Sequence, residues 1–98
     1  MSRTLTSDEI DAQLADLPDW AGDTVALRRS VEFADFPTAI AAVGRVAEIA
    51  EEMNHHPDID IRWRTVTFSL ATHSAGGVTQ LDVELAHRID GVTASLDS

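Results

Sequence analysis

A long amphipathic helix pattern, broken sharply by a proline, is the feature that most constrains the fold of this chain. Apolar residues recur at spacings of three and four from Pro37 to about Asn54, which is the period of a helix with one face toward a core. Asp35 is a suitable N-cap, and Pro57 prevents the helix from continuing. The predicted core-facing stripe consists of Ile40, Val43, Val46, Ala47, Ala50 and Met53.

The segment after this helix has the alternating pattern of β-strands, with one change of phase. Apolar residues share one parity up to Trp63 and the opposite parity from Val66 onward. Because neighbouring strand residues point to opposite faces, a turn or bulge near residues 63–66 must reset the register. The pattern over residues 58–71 therefore predicts strands that run in opposite directions on either side of this turn or bulge. Their apolar positions are Ile59, Ile61, Val66, Phe68 and Leu70.

Two further helices are predicted on either side of this central unit. Residues 5–17 predict a short helix, because Thr6 and Glu9 form a capping box ahead of apolar residues at helical spacing. A last helix is predicted to begin at Thr79, with Asp82 in its first turn, where a carboxylate stabilises the helix dipole. Its inward residues are expected to be Leu81, Leu85, Ile89 and Val92.

One or two strands are predicted between the first helix and the long one. After Trp20, the apolar residues Val25, Leu27, Val31 and Phe33 are mostly spaced by two. The resulting order of helix, strands, helix, strands and helix predicts an α+β fold, with an antiparallel sheet covered on one face.

Composition limits the classes of protein to consider. The 98 residues are enough for one domain, which we expect to span residues 1–98. Seventeen acidic against seven basic side chains give a formal net charge of −10, which argues against nucleic-acid binding. The absence of Cys excludes disulfides, thiolate catalysis and cysteine-based metal centres. No apolar run approaches the roughly 20 residues of a membrane span, and no signal-peptide pattern opens the chain, so we expect a cytoplasmic location.

Three histidines fall at the ends of predicted elements. His55 and His56 lie where the long helix ends, and His73 lies where the last strand ends. A hairpin between them would bring all three side chains to one end of the sheet. Imidazole gives and takes protons near neutral pH, so such a group describes an acid–base site without a nucleophile or cofactor. The fourth histidine, His87, is expected on the surface of the last helix.

Each of these residues also has a more ordinary interpretation. A single histidine is most often a surface or capping residue, and three imidazoles can alternatively bind zinc, although this spacing matches no zinc signature. Glu51 lies one turn before His55 and can orient that ring, or it is simply a solvated helix residue. Asp82 has a similar ordinary interpretation, as a helix cap with no role in a site. Trp20 and Trp63 are expected in the core, where either can also form the wall of a site for a flat ligand.

Residues 51–82 combine these side chains in one spaced motif. Its first part is Glu51-x-x-x-His55-His56-Pro57, followed by five residues to Trp63, nine to His73 and eight to Asp82. This spacing resembles the signature of the pterin-4a-carbinolamine dehydratases, and the flanking sequence extends the resemblance from about Leu5 to Val92.

The resemblance implies a fold, an activity and a set of partners. The family fold is a four-stranded antiparallel sheet with three helices on one face, and members form homodimers or homotetramers. They are hydro-lyases that dehydrate 4a-hydroxytetrahydropterins to quinonoid dihydropterins, which regenerates the cofactor of aromatic amino-acid hydroxylases. No metal or organic cofactor is implied. Some relatives instead act as a dimerisation cofactor of a transcription factor or as assembly proteins, so a non-catalytic, protein-binding role is the alternative.

The resemblance also implies roles for individual residues. His55, His56 and His73 are the expected catalytic residues, with His56 and His73 as the preferred pair for proton transfer. Residues 54–56 and 71–74 are expected to contact the pterin. By name, these substrate-binding residues are Asn54, His55, His56, Ala71, Thr72, His73 and Ser74. The residues expected behind them, where they fix the orientation of the rings, are Glu51, Asp82 and Trp63.

Overall fold

The computed structural model describes residues 3–97, which form a four-stranded antiparallel sheet and three α-helices. The predicted α+β class and the four-stranded sheet with three helices are therefore confirmed. The spatial order of the strands is β1-β2-β4-β3. Along the chain the elements are α1 (Ser7–Leu14), β1 (Ala21–Gly22), β2 (Leu27–Glu32), α2 (Phe36–Met53), β3 (Asp58–Arg62), β4 (Thr65–Leu70) and α3 (Gln80–Asp97), with a short 3₁₀ turn at His73–Ala75.

The core lies between the helices and one face of the sheet. Strand β4 contributes Val66, Phe68 and Leu70, which are all fully buried. Its register pairs Val66 with Val31 of β2 and Phe68 with Ile59 of β3, so apolar side chains share one face across three strands. The other face of the sheet carries polar residues that are exposed or half-buried. A slip of one residue would bury that polar face, and the register is therefore firmly set.

The predicted change of strand phase is a tight turn at Trp63 and Arg64. Trp63 has a φ of 54°, which is left-handed backbone that reverses the chain between β3 and β4. The expectation that Trp63 lies in the core is wrong, because this turn leaves 72% of the residue exposed. The guanidinium of Arg64 stacks over the indole ring, 4.9 Å from its centroid.

Helix α2 has the predicted bounds, but its buried stripe is rotated by about one residue from the predicted one. The Asp35 carboxylate accepts a hydrogen bond from the Thr38 amide, as expected of the N-cap. Ile40 and Ala47 are exposed rather than buried. The fully or almost fully buried positions are Ala39, Ala42, Val46 and Ala50. Most of these buried residues are alanines, whose small side chains let the helix pack close to the rest of the core. The helical period alone does not predict that small residues take these positions.

Helix α1 is shorter than predicted. The capping box of Thr6 and Glu9 is present, but the α-helix ends at Leu14. The segment from there to Trp20 forms turns with 3₁₀-type hydrogen bonds. Leu17 is nevertheless fully buried. Val25, which the alternating pattern placed in a strand, lies in a loop and is 69% exposed.

A half-buried polar cluster joins the sheet to α3 and has no counterpart in the sequence prediction. Arg29 lies on the covered face of β2 and donates to Asp90 Oδ1 at 2.6 Å and to Thr93 Oγ1 at 2.9 Å. The indole Nε1 of Trp20 donates to the same Asp90 oxygen at 2.7 Å. These bonds compensate part of the cost of half-burying the Arg29 cation, whose Nε has no hydrogen-bond partner within the described residues.

The N-terminal capping box makes stability depend on pH in the acid range. The pKa of Glu9 is lowered from 4.5 to about 2, chiefly by hydrogen bonds from the Arg3 side chain and then by the Thr6 amide. A carboxyl with a depressed folded-state pKa stabilises the fold above its unfolded pKa, and this contribution disappears as pH falls toward 2. We therefore expect Glu9→Gln to destabilise the protein at pH 7, with a difference from wild type that shrinks between pH 5 and pH 3. Urea unfolding followed by tryptophan fluorescence measures this, and a difference that is constant with pH would contradict it.

Candidate active site

Two segments that carry the histidines leave the sheet at the same end. Asp58, at the start of β3, pairs with Ser69, near the end of β4. His55 and His56 directly precede β3, and His73 follows β4, so the antiparallel hairpin brings all three to one end of the sheet, as its spacing predicts. Trp63, which was predicted behind the histidines, lies at the opposite end of this hairpin, so the described chain does not bring it to them.

The end of α2 determines which histidine faces inward. Asn54 adopts left-handed backbone (φ 50°) as the C-cap of α2, and the amide of His55 then donates to Ala50 O at 3.0 Å. This tight reversal leaves His55 buried and His56 exposed. Asn54 itself is exposed.

His55 is held by a buried carboxylate. Its Nε2 lies 2.5 Å from Asp82 Oδ1, and Asp82 is fully buried. The second oxygen, Asp82 Oδ2, accepts from the Thr72 hydroxyl at 2.8 Å and from the Thr79 amide at 2.9 Å. Because an ionised carboxylate only accepts hydrogen bonds, the hydrogen between the two groups belongs to His55 Nε2. A neutral ring in this arrangement has its lone pair on Nδ1.

Asp82 caps a helix and orients a histidine at the same time. Thr79 is the residue before α3, and its amide is bound by Asp82 three positions later, as in one half of a capping box. The Thr79 hydroxyl accepts from the Leu81 amide at 3.3 Å and shares a hydrogen bond of 2.8 Å with the Thr72 hydroxyl. The sequence prediction did not assign Thr79 to the site, although the Thr-x-x-Asp spacing carries that signal. Thr72 is buried in this network.

Glu51 contacts a different histidine from the one expected. Its Oε2 lies 3.3 Å from Nε2 of His56, and both side chains are exposed. The expectation that Glu51 orients His55 is therefore wrong. The reversal at Asn54 turns His55 toward α3, which leaves His56 beside the last turn of α2.

His73 lies in a cleft of about 360 Å³ at the end of β4. The cleft is also lined by Ser69 and Ala71 of the β4 segment and by Asp58 of β3. Among residues 3–97, no side chain is hydrogen-bonded to the His73 ring, so both of its nitrogens can serve a ligand. The remaining lining residues are Val25, Ala26, Gly76 and Gly77, and Ser74 is exposed beside them.

A close backbone contact forms the outer wall of this cleft. The Val78 amide donates to Thr24 O at 2.9 Å, which ties the loop before β2 to the segment after His73. A Cβ on Gly77 would lie 2.6 Å from the same Thr24 oxygen, so only glycine permits this approach. Asp58, Val25 and Ala26 were not predicted as site residues, because no local pattern connects them to His73.

Within the described residues, no group of three or more His, Asp or Glu side chains is arranged to hold a metal ion. None of the helices in residues 3–97 has the length and apolar character needed to cross a membrane.

The fold and site define a small α+β protein with a histidine-lined cleft at one end of an antiparallel sheet. The family model described as pterin 4 alpha carbinolamine dehydratase matches residues 3–92, and the chain belongs to this family. A relative from Mycolicibacterium smegmatis is 58% identical over 88 residues, which are 90% of this chain and 94% of the relative. A relative from Mycobacterium tuberculosis H37Rv is 57% identical over 88 residues, with the same coverage of both chains. Both carry the provisional name pterin-4-alpha-carbinolamine dehydratase.

Solved structures agree with this assignment. The crystal structure of a transcriptional coactivator/pterin dehydratase from Brucella melitensis superimposes with a TM-score of 0.88 at 35% identity, covering 92% of this chain and 98% of that one. A pterin dehydratase-like protein identified as a RuBisCO assembly factor of the alpha-carboxysome has a TM-score of 0.61 at 22% identity. The superposition covers 74% of this chain and 84% of that one. At this identity, the second likeness concerns the fold alone.

Removal of the Asp82 carboxylate should destabilise the protein strongly. Asp82→Ala leaves three buried donors without their acceptor, and each unsatisfied group costs about 1–3 kcal/mol. Because the neighbours can relax, we expect a net loss of about 2–4 kcal/mol in the free energy of unfolding, measured in urea. Asp16→Ala, which changes an exposed aspartate, is the control and should cost less than about 0.5 kcal/mol. A loss below about 1 kcal/mol for Asp82→Ala would contradict the network described above.

Proposed function

We propose that the protein dehydrates 4a-hydroxytetrahydropterins to quinonoid dihydropterins by histidine acid–base catalysis. The observation that carries this proposal is the placement of His55, His56 and His73 at one end of the sheet, where His73 lines a cleft and its ring has no side-chain partner among residues 3–97. Membership of the pterin carbinolamine dehydratase family supports the same activity.

The reaction needs two proton transfers and nothing else. A proton is delivered to the hydroxyl at C4a, and the C4a–O bond breaks to release water. The N5–H proton is removed, and its electron pair forms the C4a=N5 double bond. No oxidant, reductant or cofactor is required, so one general acid and one general base near C4a and N5 are sufficient.

The chain offers these groups in two different environments. His56 and His73 are both exposed and form the proposed pair that exchanges protons with the substrate. His55 is fixed by Asp82 through Nε2, which leaves Nδ1 to accept a proton or a hydrogen bond. The pterin ring would lie against residues 54–56 and 71–74, of which Ala71 and His73 line the cleft.

We further propose that the protein works as a homodimer or homotetramer that supports an aromatic amino-acid hydroxylase. Phe36 and Ile40 lie one turn apart on α2 and are 48% and 43% exposed, which gives this helix an apolar surface suited to subunit contact. With a formal charge of −10 on each chain, such association would be favoured by salt.

Single histidine variants test the proposed chemistry. We expect His56→Ala and His73→Ala each to lower the catalysed rate about 10²–10⁴-fold, because each removes a proton-transfer group. The rate is followed by ultraviolet absorbance on enzymatically generated 4a-hydroxytetrahydropterin. His87→Ala changes the exposed histidine of α3 and is the matched control, which should retain the wild-type rate.

The same assay separates catalysis from a protein-binding role. Circular dichroism first establishes that each variant is folded. If folded wild type does not exceed the spontaneous rate, or if both variants retain full activity, the acid–base proposal is overturned. A protein whose only role is to bind a partner would tolerate loss of all three histidines.

A further inference from the structure

Two buried hydroxyls beside the histidines have no part in the proton transfers proposed above. Thr72 and Thr79 are 6% and 0% exposed, and their hydroxyl oxygens lie 2.8 Å apart. Neither residue lines the His73 cleft, so each can act on the reaction only through its neighbours. A buried hydroxyl without partners is costly, and the partners of this pair are therefore informative.

The hydrogen bonds of this pair run in one direction. The Thr72 hydroxyl donates its single hydrogen to Asp82 Oδ2 at 2.8 Å. Because a hydroxyl carries only one hydrogen, the bond between the two threonines is donated by Thr79 to Thr72. The Thr79 oxygen in turn accepts from the Leu81 amide at 3.3 Å. A chain of donors thus leads from the first turn of α3 to the carboxylate, and each bond strengthens the next.

The backbone of Thr72 holds the turn that carries His73. Its carbonyl oxygen accepts from the amides of Ala75 and Gly76, both at 3.0 Å, and its own amide donates to Gly77 O at 2.9 Å. His73 is the next residue in the chain, and it is exposed. The backbone at Thr72, rather than side-chain packing, therefore determines the placement of the His73 ring.

We propose that Thr72 and Thr79 are positioning residues that tie two histidines of the site to one carboxylate. The inference rests on the proposed function, because it concerns these histidines as groups that act on a pterin. Asp82 holds the His55 ring through Oδ1 and the Thr72 hydroxyl through Oδ2, and through Thr72 it fixes the turn of His73. Thr79 secures the second bond, because its hydrogen occupies the Thr72 oxygen and directs the Thr72 hydrogen to the carboxylate.

A purely structural role for the pair makes a different prediction. The Thr79 hydroxyl also caps α3 through the Leu81 amide, and the loss of such a cap lowers stability. If capping were its only role, every variant that remains folded would keep the wild-type rate. If the hydroxyls position the histidines, the rate depends on the hydroxyl itself and does not follow stability.

Valine and serine variants separate these two roles. Valine replaces the hydroxyl by a methyl group of similar size, whereas serine keeps the hydroxyl and loses the methyl group. We expect Thr72→Val to lower kcat for dehydration of 4a-hydroxytetrahydropterin about 10–100-fold, and Thr79→Val about 3–30-fold, because misplaced catalytic groups cost rates of this order. KM should change less than about threefold, because neither side chain touches the substrate. Thr72→Ser and Thr79→Ser should keep kcat within about threefold of wild type, although the cavity left by the methyl group lowers their stability.

Thr93→Val is the matched control. Thr93 is a buried threonine of α3 whose hydroxyl accepts from Arg29 and donates to the carbonyl of Asp90. Valine at this position removes a comparable pair of hydrogen bonds, so urea unfolding should show a comparable loss of stability. Because these bonds involve no histidine, kcat should remain at the wild-type value.

An NMR signal tests the positioning without turnover. The hydrogen on His55 Nε2 is buried in its bond to Asp82, which slows its exchange with water. In Thr72→Val the carboxylate loses a donor at Oδ2, so the resonance of this hydrogen should move from its wild-type position. It should stay in place in Thr72→Ser and in Thr93→Val.

The contrary outcomes are distinguishable from one another. If wild type is active and both valine variants, folded by circular dichroism, retain kcat, the positioning role is overturned and the dehydratase proposal stands. A loss of kcat that the serine variants share, or an unchanged His55 resonance in Thr72→Val, overturns the positioning role as well. Should Thr72→Val fail to fold, the comparison of Thr79→Val with Thr79→Ser decides by the same criteria. If folded wild type does not exceed the spontaneous rate, the proposed function and this inference both fail.

Discussion

The site depends on one buried carboxylate that joins three elements. Asp82 receives hydrogen bonds from His55 at the end of α2, from Thr72 after β4 and from Thr79 before α3. A buried charge costs several kcal/mol unless such partners compensate it. Because all three donors converge on one residue, the end of α2, the end of β4 and the start of α3 must hold a fixed arrangement. The orientation of the His55 ring is a direct consequence of that requirement.

The network is buried, whereas the cleft is open. His55, Thr72 and Asp82 are buried, and Ala71 and His73, on either side of Thr72 in the chain, line the cleft. Rigid packing of the network can thus fix the ends of the strands, while the cleft stays accessible to a flat molecule. This division explains how a chain of 98 residues provides a buried polar network without closing its own site.

Patterns within single elements could be predicted from the sequence, whereas contacts between elements could not. Alternation and one change of phase predicted both strands of the hairpin, and the spacing of Thr6, Asp35 and Thr79 predicted the helix starts. Periodicity, however, defines the buried face of a helix only to within about one residue, which is why Ile40 was assigned to the core in place of Ala39. The partner of Glu51 depends on the left-handed backbone of Asn54, which the sequence pattern does not specify. The site histidines were predicted by their spaced motif, and the Thr-x-x-Asp spacing carries a signal for Thr79, whereas Asp58 joins them only through the fold.

A crystal structure with a stable dihydropterin would reveal where the pterin ring binds. The measured quantities are the distances from the imidazole nitrogens of His56 and His73 to N5 and to the oxygen position at C4a. We expect the ring to lie in the His73 cleft at the end of β4, with both histidines within about 3.5 Å of the reacting positions, directly or through one water. A ring bound elsewhere, such as the surface cavity lined by Arg3, Glu9 and Glu84, or a ring in the cleft with neither histidine in reach, would contradict it.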